Sequence, residues 1–394
     1  MSSKLSSLRL HRVLSVATAL ALLPAASVLA QVTPAASHTP PDDTPSIKVG
    51  TVIYANYTYQ DEPTAKDADG NTINPSSFEV SRAYINVTGN LHHLVSFRVT
   101  PDIAGRFATT VSSTVTGGAP GEKVTTTGST NYDGNLVFRL KYAFGQFNLD
   151  DWLPKGSWIR LGQQQTPYLD FFEGIYRYRW QGTTFVEREG YITSSDPGIA
   201  AHLSLPNNYG DVHFGVYNGD GYSKAEANDQ KSFQIRGTLR PLPKESVLKG
   251  LRLTAFYDAD HYIKDGPRDR FIGSATFEHQ YVNLGFDYFT ATDQTSGLPT
   301  GKKVEAEGWS FWVTPRTKVG LEGLFRYDDT KPAKNVTVTA NAQRKRTIIG
   351  VAYWFKSEKK DSAAIMADYE SVDYDTPLAK PNEKRYILNS LFTF

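Results

Sequence analysis

From Ile47 onward the chain reads as short runs in which apolar and polar residues alternate, the period of a β-strand with two different faces. In "VSRAYINVTGN" Ala83, Ile85 and Val87 alternate with Arg82, Tyr84 and Asn86. In "LVSFRVTPD" Val95, Phe97 and Val99 alternate with Ser96, Arg98 and Thr100. "NLVFRLKYAF" sets Leu136, Phe138, Leu140, Tyr142 and Phe144 against Val137, Arg139, Lys141 and Ala143. The last stretch, "EKRYILNSLFTF", sets Phe394, Phe392, Ser390, Leu388 and Tyr386 against Thr393, Leu391, Asn389, Ile387 and Arg385. About sixteen such strands are expected, starting near Ile47, Phe78, His92, Tyr132, Ser157, Pro197, Asp211, Lys231, Gly250, Asp269, Tyr281, Lys303, Thr317, Arg344, Ala363 and Lys384. Those near Trp309 and Ile348 are apolar on both faces, so alternation leaves their register open.

The connections alternate in length. Short ones fall at "NLHH", "PNNYGD", "EHQY", "TPRTK" and "KSEKKD"; long ones fall around Asp61–Ser77, Gly105–Asn131, Thr166–Asp196, Thr290–Lys302 and Asp328–Gln343. Short turns at one end and long loops at the other predict an all-β fold, a transmembrane antiparallel β-barrel whose lipid face and wet interior alternate residue by residue. An open sheet edge is not viable in lipid, so the terminal strand is expected to pair with the first. Phe394 would then sit in an interfacial aromatic girdle and resembles the C-terminal signal read by outer-membrane assembly machinery.

The first residues change the picture of where the chain goes. Lys4, Arg9 and Arg12 precede the apolar "VLSVATALALLPAASV", and small residues precede Gln31, which predicts a cleavable signal peptide over 1–30. Residues 31–46 are Pro-rich and read as a flexible lead segment, with the barrel domain over 47–394. The signal carries three of the 42 basic residues and none of the 41 acids, so the remainder is near −2. That balance gives no support to nucleic-acid binding. The mean hydropathy of −0.40 suits strands that are strongly two-faced yet hydrophilic on average. The absence of cysteine excludes disulfides, thiol nucleophiles and thiolate metal sites.

Three stretches carry a family resemblance: "FEVSRAYINVTGNLHHLVSFRVTPDIAG", "WIRLGQQQTPYLDFFEGIYRYRWQGTTFVEREG" and "GIAAHLSLPNNYGDVHFGVYNGDG". In order and spacing, from Phe78 to Gly221, they resemble the phosphate-selective porins O and P. Where that family often has a double Arg in the first hairpin, Ser81-Arg82 stands here. The resemblance implies an outer-membrane homotrimer that passes small solutes, phosphate among them, through a water-filled channel.

The chemistry expected of such a pore lies in its charges. The loop from Thr166 to Ser195 mixes Phe171, Phe172, Tyr176, Tyr178 and Trp180 with Asp170, Glu173, Arg177, Arg179, Glu187, Arg188 and Glu189. So many aromatics gain little on a surface, so this third long loop is expected to fold into the lumen as a constriction. Early strands place Arg82, Arg98, Arg139, Lys141, Arg160, Arg236, Arg240 and Arg252 on the lumen face as a basic, pore-lining arc. Later strands place Asp258, Glu278, Asp287, Glu322, Asp368 and Glu370 there, with Arg326 among them. Arg rows suit oxyanions that must bind weakly enough to leave. The expected preference is for anions, with no cofactor and no metal. His92 and His93 adjoin a short turn, so they are expected to point to opposite faces and not to share a metal. "YNGDGYSKAE" resembles a calcium loop only in outline, because Val216 and Ala227 occupy the first and last ligand positions. No Gly-x-Ser-x-Gly or His-Glu-x-x-His motif is present to suggest an enzyme. The competing classes are a barrel lipase or protease and a loop-based adhesin or receptor with a blocked lumen.

Overall fold

The computed structural model describes residues 43–116, 123–226, 228–264, 266–294, 303–335, 343–356, 361–375 and 381–394. The proposed signal peptide and nearly all of the lead segment lie outside them. Sixteen long antiparallel strands close on themselves. They are β1 Ser46–Glu62, β2 Ser76–His92, β3 Val95–Thr116, β4 Lys123–Asn148, β5 Trp158–Gln165, β6 Ser195–Ser204, β7 Gly210–Tyr217 and β8 Ser232–Leu239. The second half comprises β9 Leu251–Ala259, β10 Gly266–His279, β11 Val282–Asp293, β12 Val304–Pro315, β13 Leu321–Lys331, β14 Arg344–Lys356, β15 Asp361–Tyr374 and β16 Glu383–Thr393. Each pairs with its neighbours in sequence, and β1 pairs with β16 from Val52↔Thr393 to Glu62↔Lys384. Phe394 completes the seam: its N–H donates to Thr51 O at 2.9 Å and its carbonyl accepts from Thr51 N–H at 3.0 Å. The seam leaves no free edge where lipid would have to meet unpaired backbone. No helix among the described residues is long and apolar enough to cross a membrane.

The alternation read from sequence is visible around the wall. On β8, Ser232, Gln234, Arg236 and Thr238 are buried inside, while Phe233, Ile235 and Leu239 stand exposed outside. On β16, Tyr386, Leu388 and Phe392 are outside, with Phe394, 87% exposed, just beyond its end, and Asn389 and Leu391 inside. The outer belt is that of a lipid-facing barrel.

Three local expectations are corrected. The connection expected over Gly105–Asn131 is mostly strand: β3 and β4 stay paired out to Thr116↔Lys123, because the β-branched residues of "TTVSSTVT" and "KVTTT" favour an extended hairpin. The faces of β4 also switch. Thr100 pairs with Tyr142 but Pro101 with Leu140, so Lys141 is bulged. Leu136, Phe138 and Leu140 point outward as expected, whereas Tyr142 and Phe144 are buried inside. Finally, His92 ends β2 and His93 lies in the turn, where strand alternation no longer applies. Their rings lie 4.2 Å apart, centroid to centroid.

Candidate functional site: the lumen and its third loop

Gly162 sits within β5, which stays paired with β6 as far as Gln165↔Ser195 before the loop departs. Its φ of +122° belongs to the glycine region, and a Cβ there would lie 2.4 Å from Ala143 O. After β5, Pro167 occupies the first turn of helix α1, Pro167–Ile175, where its missing N–H costs nothing. Helix α2, Phe185–Arg188, follows before the chain rejoins the wall at β6.

The loop does not cross open water; it packs onto the inside of β9 to β15. Tyr168 lies 5.7 Å from Phe256, Tyr176 5.3 Å from Trp312, Phe185 5.4 Å from Phe289 and Trp180 5.9 Å from Trp354, between ring centroids. Ile272, Leu324, Ile348, Ala364 and Met366 complete this core. Burying one large apolar side chain contributes about 1.5–3 kcal/mol, so the face is a firm anchor.

The wall's acids secure the rest. Tyr168 Oη donates to Asp287 at 2.8 Å, Tyr178 Oη to Glu322 at 3.0 Å, Arg177 to Glu322 at 3.3 Å and Gln181 to Asp368 at 3.3 Å. Arg188 pairs with Glu370 at 3.2 Å and Glu189 with Arg344 at 2.5 Å. Arg326 pairs with Asp328 at 2.7 Å and donates to Tyr176 Oη and to Thr183 O, tying the far turn of the loop down. Four of the six acids expected to form an acidic arc, Asp287, Glu322, Asp368 and Glu370, thus hold the loop. Of the other two, Glu278 pairs with Arg252 and Asp258 accepts from Ser232.

The opposite wall, β1 to β5, keeps its charges toward the loop's polar side. Asp102, completely buried, takes Arg82 at 3.1 Å, Arg139 at 3.2 Å and the Tyr222 hydroxyl at 3.2 Å. Arg82 and Lys141 both donate to Tyr84 Oη, at 3.0 and 3.4 Å. Arg98 has no carboxylate within ion-pair distance among the described residues; it donates to Asn86 at 2.9 Å and Thr100 at 3.0 Å and lies over the Tyr142 ring at 4.5 Å. Arg160 is stacked on Trp158 at 3.7 Å and pairs with Asp170 at 3.5 Å. Arg179 pairs with both Glu173 and Glu187 on the loop itself. Six bases (Arg82, Arg98, Arg139, Lys141, Arg160, Arg179) therefore meet four acids (Asp102, Asp170, Glu173, Glu187), an excess of two positive charges. A cavity of about 160 Å³ separates Arg82 and Tyr84 from Arg179 and Gly182.

Arg236, Arg240 and Arg252 do not share in this. All three are buried inside the wall. Arg236 pairs with Asp211 and donates to Pro167 O at 2.9 Å, while Arg252 pairs with Glu278 at 2.8 Å. They brace the wall and the start of the loop. Sequence reading missed Arg346 and Arg385, which join Arg188 around Glu370 in a cavity of about 660 Å³ toward the long-loop end. The period-two pattern already puts Arg385 on the inner face of β16, opposite the outward Tyr386. The Asn218–Gly221 turn is held by Gly219 N–H donating to Asp196 at 2.7 Å and by Arg268 beside Asp220 at 3.5 Å.

By sequence, no family profile and no curated protein matches the chain. Solved structures do match in fold. An anion-selective porin from Comamonas acidovorans superposes with a TM-score of 0.58 at 10% identity, over 89% of this chain and all of that one. OmpF of Salmonella typhi, in complex with daunomycin, gives 0.56 at 10% identity, over 88% and 97%. OmpT, an outer membrane protein of Vibrio cholerae, gives 0.54 at 11% identity, over 90% and 99%. The fold is the closed sixteen-strand transmembrane β-barrel that these outer-membrane proteins share.

Proposed function

We propose that this chain is an outer-membrane porin, a water-filled channel for passive diffusion of small hydrophilic solutes with a preference for anions, phosphate among them. The observation that carries the reading is the division of the lumen. The loop covers the acidic half of the wall and engages its acids, leaving Arg82, Arg98 and Arg139 on the other half partly open to permeating ions, with Lys141 and Arg160 buried among them. Ions respond to charges within about a Debye length, roughly 8–10 Å, so the local excess of bases outweighs a slightly negative whole chain. In this reading 1–30 direct export, Phe394 is read during assembly, the long loops face outward and three copies associate in the bilayer. No catalytic role is assigned. Single-channel recording in planar bilayers is the test. Stepwise conductance with an anion-directed zero-current potential is expected, and folded protein that gives no ion steps would sink the proposal in favour of a blocked barrel.

A further inference from the structure

We propose that the short-turn end of the barrel carries a binding site for a divalent transition-metal cation of the zinc class, built from Asp43, His92 and His93 with Asp151 behind them. Three separate segments meet there: the residues just ahead of β1, the β2–β3 turn and the β4–β5 turn. An Asp43 oxygen lies 2.5 Å from His93 Nδ1 and 3.3 Å from His92 Nε2, and the three donor atoms all fall within 4.8 Å of one another. Ligands held about 2.0–2.2 Å from a tetrahedral Zn²⁺ are roughly 3.4 Å apart, so the Asp43–His92 spacing already suits the ion and the Asp43–His93 contact has to open by about 1 Å. The other His93 nitrogen, Nε2, faces Asp151 at 3.1 Å. A carboxylate in that place fixes the tautomer that presents Nδ1 to the metal, as partners of ligating histidines do.

His92 has to change state. Leu94 N–H donates to its Nδ1 at 3.2 Å, which puts the ring proton on Nε2 in the metal-free chain. Binding moves that proton to Nδ1 and gives up the Leu94 contact. The side chains of Asp43 (68% exposed), His92 (49%) and His93 (35%) are open enough to make these adjustments and to admit an ion from water. Two imidazoles and a carboxylate select zinc, nickel or copper over calcium, which takes oxygen donors. A bound ion would cross-link the segment ahead of the first strand to the first two turns.

Calorimetric titration of ZnCl₂ into the full chain, refolded in detergent and freed of chelator, tests the site. One saturable equivalent of Zn²⁺ is expected, with no heat from CaCl₂. Asp43→Ala and His93→Ala should each weaken binding at least about tenfold, and Asp151→Asn should weaken it by about 10–100-fold with the stoichiometry kept. Heat-modifiable gel migration, identical for every variant, would show that the barrels are folded. No saturable Zn²⁺ binding, equal heats from calcium, or unchanged affinity in the His92→Ala/His93→Ala double variant would each overturn the proposal.

Discussion

Replacing Arg98, Arg139 and Arg160 together with Gln tests the charge division most directly. The substitutions remove three of the six bases gathered between this wall and the loop and leave the four acids among them, turning an excess of two positive charges into a deficit of one. A unit charge about 8 Å from an ion in water contributes about 0.5 kcal/mol, which falls to about 0.2 after one Debye length of screening. Because it acts oppositely on anions and cations, each charge changes their permeability ratio about twofold. The native pore should then favour anions about fourfold and the variant cations about twofold. In a tenfold KCl gradient, where a perfectly selective pore reads about 59 mV, the zero-current potential should move by about 40 mV and change sign. Gln keeps a donor for Asn86 and for Asp102, which limits distortion of the wall. A shift below about 10 mV, in channels of native conductance, would refute the assignment of selectivity to these residues.

Further outcomes follow from the loop and the wall. Tyr176→Ala removes a ring packed on Trp312 and the hydroxyl that Arg326 reaches, at a cost of about 3–5 kcal/mol in loop anchoring; single-channel traces should show larger and noisier conductance. Arg326→Met leaves Asp328 buried without its partner, a loss of about 3–5 kcal/mol, and should open the loop's far turn to protease before the barrel itself is cut. Gly162→Val forces a β-branched residue into φ of +122° against Ala143 O, a strain of about 1–3 kcal/mol, and should lower the refolded fraction on heat-modifiable gels. If three copies associate, seminative gels should show a high-mass band that heating converts to a single barrel; a lone heat-indifferent band would contradict it.

Much of the barrel was legible because lipid and lumen demand opposite side chains at every step. Most expected strand starts fall within four residues of the observed ones, and Arg82, Arg98, Arg139, Lys141 and Arg160 all lie inside as the period requires. Alternation misled where the ladder slips: the bulge at Lys141 turned Tyr142 and Phe144 inward, and nothing in "FRLKYAF" marks it. The strands that looked apolar on both faces have a structural reason. Trp309 is outside on β12 while Trp312 is inside, and Ile348 on β14 is completely buried, because both strands lie under the loop's aromatic side. The role of the acids was not legible. Asp287, Glu322, Asp368 and Glu370 have the right periodicity for a pore lining, and only the folded loop shows that Tyr168, Tyr178, Gln181 and Arg188 claim them.

The loop's attachment obeys a different solvent from the wall that carries it. Backbone pairing around the cylinder is enforced by hydrocarbon, which offers unpaired amides nothing, whereas the aromatic face of the loop is held down because water rejects it. Such burial weakens on cooling and in urea, while the hydrogen bonds of a closed barrel in lipid do not share that dependence. The molecule therefore combines a soluble-protein core with a membrane-protein shell. Mild chaotropes or cold should act first on the plug and last on the cylinder, making the width of the passage a thermally tunable property in a barrel that otherwise keeps its shape.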